Sequence, residues 1–288
     1  MIDTTARAIT LDHLGLVTDD LDRAEATFRR LGFALTPRSA HKAPLEPGGP
    51  AVPWGSGNHC AMFGRGYFEI LGIVDPDRPH AHIARRLASH VGLHLLALGC
   101  ADAEATRTAL ARRAIAAELN ELQRDVPFGD GARLGRFRIL RPEDGGFPET
   151  DLFFIEHLTP EVLWQPPLID QPNGVVALAG ATLCVPDPEA TARRLANLVG
   201  REGAASGGAR RFALDAGWIE VIDAAGFAAR YPGVAPPVVP ALAVCHLAVA
   251  DPAATRAYLE ARGLAPAPTA DGFWLGPIEG AVFAFAAA

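Results

Sequence analysis

Short apolar runs alternate with Ala-rich stretches of helical spacing, and the alternation occurs four times along the chain. The stretches are LDHLGLVTDDLDRAEATFRRLGF (11–33), GLHLLALGCADAEATRTALARRA (92–114), AGATLCVPDPEATARRLANLVG (179–200) and AVCHLAVADPAATRAYLEARGL (243–264). In each, a strand-like apolar run leads to an Asp, the Asp to a helical pattern, and in three of four cases a Gly follows. An Asp whose carboxylate can accept the first free helical N–H groups is an N-cap signal, and a Gly beyond the last periodic residue is a stop signal. Self-similarity at this level marks a repeated folding unit, which outranks any single-element reading.

The first unit predicts a strand over 9–17, a helix from Asp19 or Asp20 to Gly32 with Ala24, Phe28 and Leu31 at helical spacing, and a second strand near 33–38. The Pro- and Gly-rich segment 39–57 reads as a long loop, and NHCAMFG and YFEILGIV read as a hairpin turning at Arg65-Gly66. The order is β-α-β-β-β. A connecting helix over 77–90 leads to the second unit, with a strand over 91–99, a helix over 102–114, and strands near 116–123, 134–141 and 151–158. The third has a strand over 178–185, a helix over 187–199 and a hairpin, 210–215 and 217–223, about Asp215-Ala216-Gly217. The fourth has a strand over 241–249, a helix over 251–262 and strands near 272–276 and 280–286. Residues 159–178 are Pro-rich and aperiodic, which divides the chain into an N-terminal domain over 8–170 and a C-terminal domain over 175–288. Two β-α-β-β-β units side by side form a curved sheet around a cleft with helices outside. The predicted fold class is therefore α+β: four βαβββ modules paired into two curved mixed sheets.

Composition narrows the function classes. Of 288 residues, 49% are apolar and 20% charged, as in a globular protein with a sizeable core, and the formal charge of −7 with no basic cluster speaks against nucleic acid as partner. Cys60, Cys100, Cys184 and Cys245 stand singly in or beside apolar runs and form no CxxC pair, so they read as core residues in a reducing compartment. No apolar run approaches the ~20 residues that span a bilayer. The start, MIDTTARAITLDH, lacks the build of a signal peptide, and the expected compartment is the cytoplasm. GxSxG, P-loop, GxGxxG and HExxH motifs do not occur.

Candidate chemistry rests on residues shared by the first two units: His13 with Glu69, and His94 with Glu156. The His residues lie 81 apart and the Glu residues 87 apart. Glu69 stands between Tyr67-Phe68 and Ile70-Leu71, so an unpaired carboxylate there would be costly and a partner is expected. The opening 11–33, GYFEILGIV, WGSGNHCAMFG and FFIEHLTPEVLWQPP resemble the vicinal oxygen chelate superfamily, which includes glyoxalase I, extradiol dioxygenases and bleomycin- or fosfomycin-resistance proteins. The resemblance, to its glyoxalase-like branch, covers all four units and is strongest over 9–175. It implies a divalent metal held by His13, Glu69, His94 and Glu156, a mixed N/O set suited to Zn, Ni, Co, Mn or Fe(II). It also implies lyase or isomerase chemistry on a small vicinal-oxygen substrate through an enediolate-type intermediate, with Glu156 or Glu69 as general base.

Two alternatives stay open: an extradiol-type Fe(II) dioxygenase using His13, His94 and one Glu, and a metal-free protein that binds or sequesters a small molecule. Asn58, His59, Trp54 and Trp164 are candidate substrate contacts, and Arg65 and Arg136 are candidate anion anchors when not simply solvated. The expected partner is a small molecule, with no nucleic acid and no membrane, and a homodimer is compatible with the repeat. Two departures bear on the metal set. His13 precedes its capping Asp by 7 residues but His94 precedes Asp102 by 8, a slip that reverses the strand face unless a bulge absorbs it. Glu156 and His157 are adjacent, so only one of them faces the cleft. In the last two units no His–Glu pair recurs at matching positions, and the second domain is expected to hold no metal.

Overall fold

The computed structural model describes residues 8–44, 49–143 and 147–288. Each repeat folds as β-α-β-β-β. The first comprises β1 (Ile9–Thr18), α1 (Leu21–Arg30), β2 (Ser39–Pro44), β3 (Ala51–Met62) and β4 (Tyr67–Ile73). After α2 (Ala81–Leu87) come β5 (Gly92–Cys100), α3 (Ala103–Ala111), β6 (Ala117–Phe128), β7 (Gly131–Pro142) and β8 (Asp151–His157). Two single-turn helices, α4 (Pro160–Leu163) and α5 (Pro166–Ile169), lead to β9 (Val175–Cys184), α6 (Pro188–Val199), β10 (Ala204–Ser206), β11 (Ala209–Ala213) and β12 (Trp218–Ile222). Then α7 (Ala224–Arg230) precedes β13 (Ala241–Val249), α8 (Pro252–Glu260), β14 (Ala267–Pro268), β15 (Gly272–Ile278) and β16 (Ala281–Ala287).

The four repeated Asp residues are N-caps. Asp20 accepts from the Arg23 N–H, Asp102 from Ala105, Asp187 from Ala190, and Asp251 from Ala253 and Ala254. Each satisfies a backbone donor that the helix cannot, and fixes where the strand hands over to the helix. The β3–β4 turn closes where expected, with Gly66 at φ 71°, a backbone region that L side chains rarely adopt.

Two sequence expectations change. Residues 33–38 are irregular, and the second strand begins at Ser39. Most of the segment expected as a loop over 39–57 is strand: β2 pairs antiparallel with β3 despite its Pro content, which an edge strand tolerates. Residues 45–48 of that segment lie outside the described residues.

Within each half, the strand order is the same. In the first it runs β2-β3-β4-β1-β5-β8-β7-β6, and in the second β10-β11-β12-β9-β13-β16-β15-β14. The first strand of each unit pairs parallel with its last, and the two first strands pair antiparallel at the centre. The halves join through β5 and β13, where Leu93 opposes Leu242. One large apolar cluster, with residues from α1, α3, α6 and α8 and one face of the central strands, is shared by both halves. The opposite faces carry separate clusters: around Tyr67, Phe137 and Phe153 in the first half, and around Phe227, Tyr231 and Trp274 in the second. These opposite faces are the clefts that the repeat implies. None of the helices among the described residues is long and apolar enough to cross a membrane.

Candidate functional site

The first cleft face gathers a set of polar side chains in an otherwise apolar layer. His13 on β1 opposes Tyr67 on β4, and its ring stacks on the tyrosine at 4.3 Å between centroids. Phe153 on β8 meets the imidazole edge at 5.6 Å. Adjacent residues on a strand normally point to opposite faces. Asp12 nevertheless reaches the cleft face, because the β1–β5 register shifts between Leu11 and His13 and leaves Asp12 as the bulged residue. Its carboxylate lies 2.7 Å from His13 Nδ1 and 3.0 Å from His157 Nε2.

Asp12 is buried, which by itself would raise its pKa. The hydrogen bonds from His13 and His157 outweigh that and hold the carboxyl at about 2, so it is ionised at neutral pH. An ionised acceptor requires a proton on His13 Nδ1, so the neutral imidazole presents a lone pair at Nε2. That nitrogen lies 4.0 Å from Glu69 Oε2. Asn58 on β3 donates its side-chain amide to the other oxygen of Glu69 and fixes the carboxyl group. His157 Nδ1 is buried and has no hydrogen-bond partner among the described residues. Trp164 packs edge-on against His157 at 4.9 Å and Tyr67 at 5.9 Å, closing this end of the cleft.

Of the residues singled out in the sequence, His13, Glu69, Asn58 and Trp164 come together here. His94 does not join them. A bulge does absorb the 8-residue spacing: the register shifts so that Leu93 opposes Leu16 and Leu95 opposes Gly15, with His94 between them. Leu95 therefore takes the place in β5 that His13 holds in β1. The His94 ring stacks on His90 at 4.0 Å, its Nε2 lies 2.9 Å from the His90 carbonyl, and burial pushes its pKa down to about 4.

Glu156 lies on the helix side of β8. Its carboxylate accepts from the Ala103 N–H at 3.0 Å and faces Arg138 at 3.5 Å, so it serves the N-terminus of α3. His157, its neighbour, takes the cleft face. Phe153 occupies the position in β8 that matches Glu69 in β4, since each pairs with the corresponding residue of the parallel central strand. His59 points away from the cleft and bridges the Thr36 carbonyl to Glu25 of α1, at 2.8 and 3.2 Å. Trp54 lies toward α2, 4.7 Å from His82. Arg65 and Arg136 are exposed.

The four-residue metal set can be tested on these donors. Two of the four repeat-related positions hold a leucine and a phenylalanine side chain, neither of which coordinates a cation. Among the described residues no group of three or more His, Cys, Asp or Glu side chains is placed to hold a metal ion. The residues present do not fit that centre.

Asp12, Tyr67 and Arg124 carried no signal that sequence reasoning could use. Asp12 reads as facing away from His13 until the bulge is known, and Arg124 lies on β6, in the second repeat, whereas Glu69 lies on β4 of the first.

The second cleft face is closed differently. Glu220, fully buried, accepts from Arg211 at 3.1 Å and pairs with Arg230 of α7. Thr182 Oγ1 lies 2.8 Å from His246 Nε2 and 3.3 Å from Glu220. Phe227 and Tyr231, from α7 and its end, fill the remaining space.

Comparison with known proteins bears on the whole chain. A family model described as glyoxalase-like domain matches residues 11–199. No curated protein matches the sequence. Among solved structures, a hypothetical protein from Staphylococcus aureus superposes with a TM-score of 0.68 at 12% identity, covering 97% of this chain and 100% of that one. A mutant of 4-hydroxymandelate synthase from Streptomyces coelicolor gives 0.55 at 16% identity, covering 91% and 77%. A xylose isomerase-like TIM barrel/4-hydroxyphenylpyruvate dioxygenase fusion protein gives 0.53 at 13%, covering 91% and 40%. At these identities the likeness is one of fold.

Proposed function

We propose a function from one premise: the chain belongs to the glyoxalase-like domain family. The first cleft face is an acid–base site that moves a proton on a small oxygen-bearing substrate, in a lyase or isomerase reaction. The observation that carries this is the Asp12–His13 pair, with Nδ1 tied to an ionised carboxylate and Nε2 turned toward Glu69 at 4.0 Å.

His13 Nε2 takes the proton from a carbon next to the substrate's oxygen-bearing carbon. The imidazolium that forms is stabilised by Asp12, which orients the ring and keeps the other nitrogen protonated. Glu69, held by Asn58 with its Oε2 4.0 Å from His13 Nε2, exchanges a proton with the adjoining atom of the substrate. The rings of Tyr67, Phe153 and Trp164 exclude water, which strengthens each of these interactions.

The test is proton exchange into small 2-hydroxy- and 2-oxo-carbonyl compounds in D₂O, followed by NMR. Wild type is expected to exchange the carbon-bound proton of at least one compound, and His13→Asn to slow it by roughly 10²–10⁴-fold. No exchange with any compound, or exchange that survives His13→Asn, ends the reading. Metal analysis of protein purified without chelator is expected to give well under one equivalent. One equivalent that vanishes in both His13→Ala and Glu69→Ala would restore the metal-dependent alternative.

A further inference from the structure

Beside Glu69, where β3 approaches β6 and the α4–α5 segment, lies a small cavity. Its floor is apolar, formed by Met62, Val126, Leu163 and Leu168, and Cys60, Thr36, Ser39, Gln165 and Arg124 complete the lining. Cys60 connects the cavity to the acid–base site: it is the cross-strand partner of Glu69 and accepts a long contact from Asn58 at 3.9 Å. Arg124 is the cation of this lining. Its Nη1 donates to Ser39 Oγ at 3.3 Å, and its guanidinium carbon lies 6.0 Å from the Phe137 ring. Among the described residues it forms no ion pair, although most arginines of the chain do. Thr36 Oγ1 already accepts from the Cys60 N–H at 2.9 Å, which leaves its own hydroxyl proton to donate. Phe137, the ring nearest the Arg124 guanidinium, also meets the His157 ring at 5.4 Å, so the cavity's cation and the acid–base site share an aromatic neighbour.

We infer that Arg124 is the anion-binding residue of this site and that the substrate is a small carboxylate with an apolar body. The carboxylate meets Arg124 and the Thr36 hydroxyl, the body lies on Met62, Val126 and Leu163, and the carbon to be deprotonated extends past Cys60 toward His13. A planar guanidinium recognises a carboxylate through paired N–H donors, and a half-buried one without a carboxylate of its own is set up to take one from the ligand. The inference deepens the function proposed above and rests on it for the placement of the reacting carbon.

The test is an NMR titration of the full chain with benzoate and pyruvate, and with benzamide and pyruvamide as neutral counterparts. Both acids are expected to give saturable shifts at Cys60, Val126 and Leu163, and the amides none. Arg124→Met is expected to weaken acid binding by at least about tenfold, the loss of a charge-assisted hydrogen bond. Arg124→Lys should recover part of it, and the spectrum outside the cavity checks that both variants fold. Amides that bind as well as acids, an unchanged affinity in Arg124→Met, tighter binding of inorganic phosphate, or no saturable shift with either acid would each overturn the inference. The two proposals separate cleanly. Arg124-dependent acid binding without any His13-dependent exchange removes the function and keeps the binding site. His13-dependent exchange that persists in Arg124→Met with an unaltered KM does the reverse.

Discussion

At the scale of single residues, Asp12 controls the site. Its carboxylate is the common acceptor for two imidazoles in an apolar layer, and that arrangement has a stability consequence. The folded pKa of about 2 lies below the ordinary 3.8, so the stabilisation is complete above pH 4 and is lost as the pH falls toward 2. The depression corresponds to about 2 kcal/mol. Asp12→Asn is expected to remove this acid-labile component, seen as a flatter dependence of urea unfolding on pH between 4 and 2. The same substitution should slow proton exchange by about 10–100-fold, because the amide no longer dictates the His13 tautomer. An equal pH slope in the variant and the wild type would show that folding does not lower the Asp12 pKa. None of this was readable beforehand: a residue preceding a strand histidine is expected on the other face.

Elements explain why the repeat and the site diverge. Four Asp caps start four helices at matched points, so the cap-to-strand relation was legible in the sequence and places every central strand. Where a strand bulges was not legible, and the bulge decides which side chain enters the cleft. In β1 it turns Asp12 inward beside His13, and in β5 it lets Leu95 take the matching place while His94 joins His90. The choice between Glu156 and His157 has the same origin. Glu156 caps α3 from outside the cleft, so Glu156→Ala should cost about 1 kcal/mol in urea unfolding, as for loss of a helix N-cap partner, and leave the exchange rate at the wild-type value. Loss of exchange with unaltered stability would instead return Glu156 to the chemistry.

The two halves of the molecule share one apolar core. Phe283 of β16 meets Phe28 of α1 at 5.4 Å and Phe68 of β4 at 5.2 Å, and Glu279 receives Arg23 from the other half at 2.9 Å. A core that crosses between sequence-defined domains predicts one cooperative transition. Phe283→Ala is expected to destabilise the chain by about 3–5 kcal/mol. Fluorescence of Trp164 in the first half and Trp274 in the second, each read in a chain whose other tryptophans are Phe, should then shift by the same amount. Separate midpoints would show that the units over 8–170 and 175–288 unfold independently. The second half keeps the strand order of the first, but α7 and the Glu220–Arg211–Arg230 cluster occupy its cleft, which leaves the chemistry to the first half in our reading.

The amino-acid sequence by itself determined the repeat, the β-α-β-β-β order, the helix starts and the two residues, His13 and Glu69, that stand on one cleft face. These follow from local periodicity and from caps, whose physics acts over a few residues. Tertiary structure alone decided which further groups join them. Strand register, bulges and the approach of β6 to β3 are set by packing between segments far apart in the chain. They brought in Asp12, His157 and Arg124, and they put Leu95 and Phe153 where the repeat had suggested ligands.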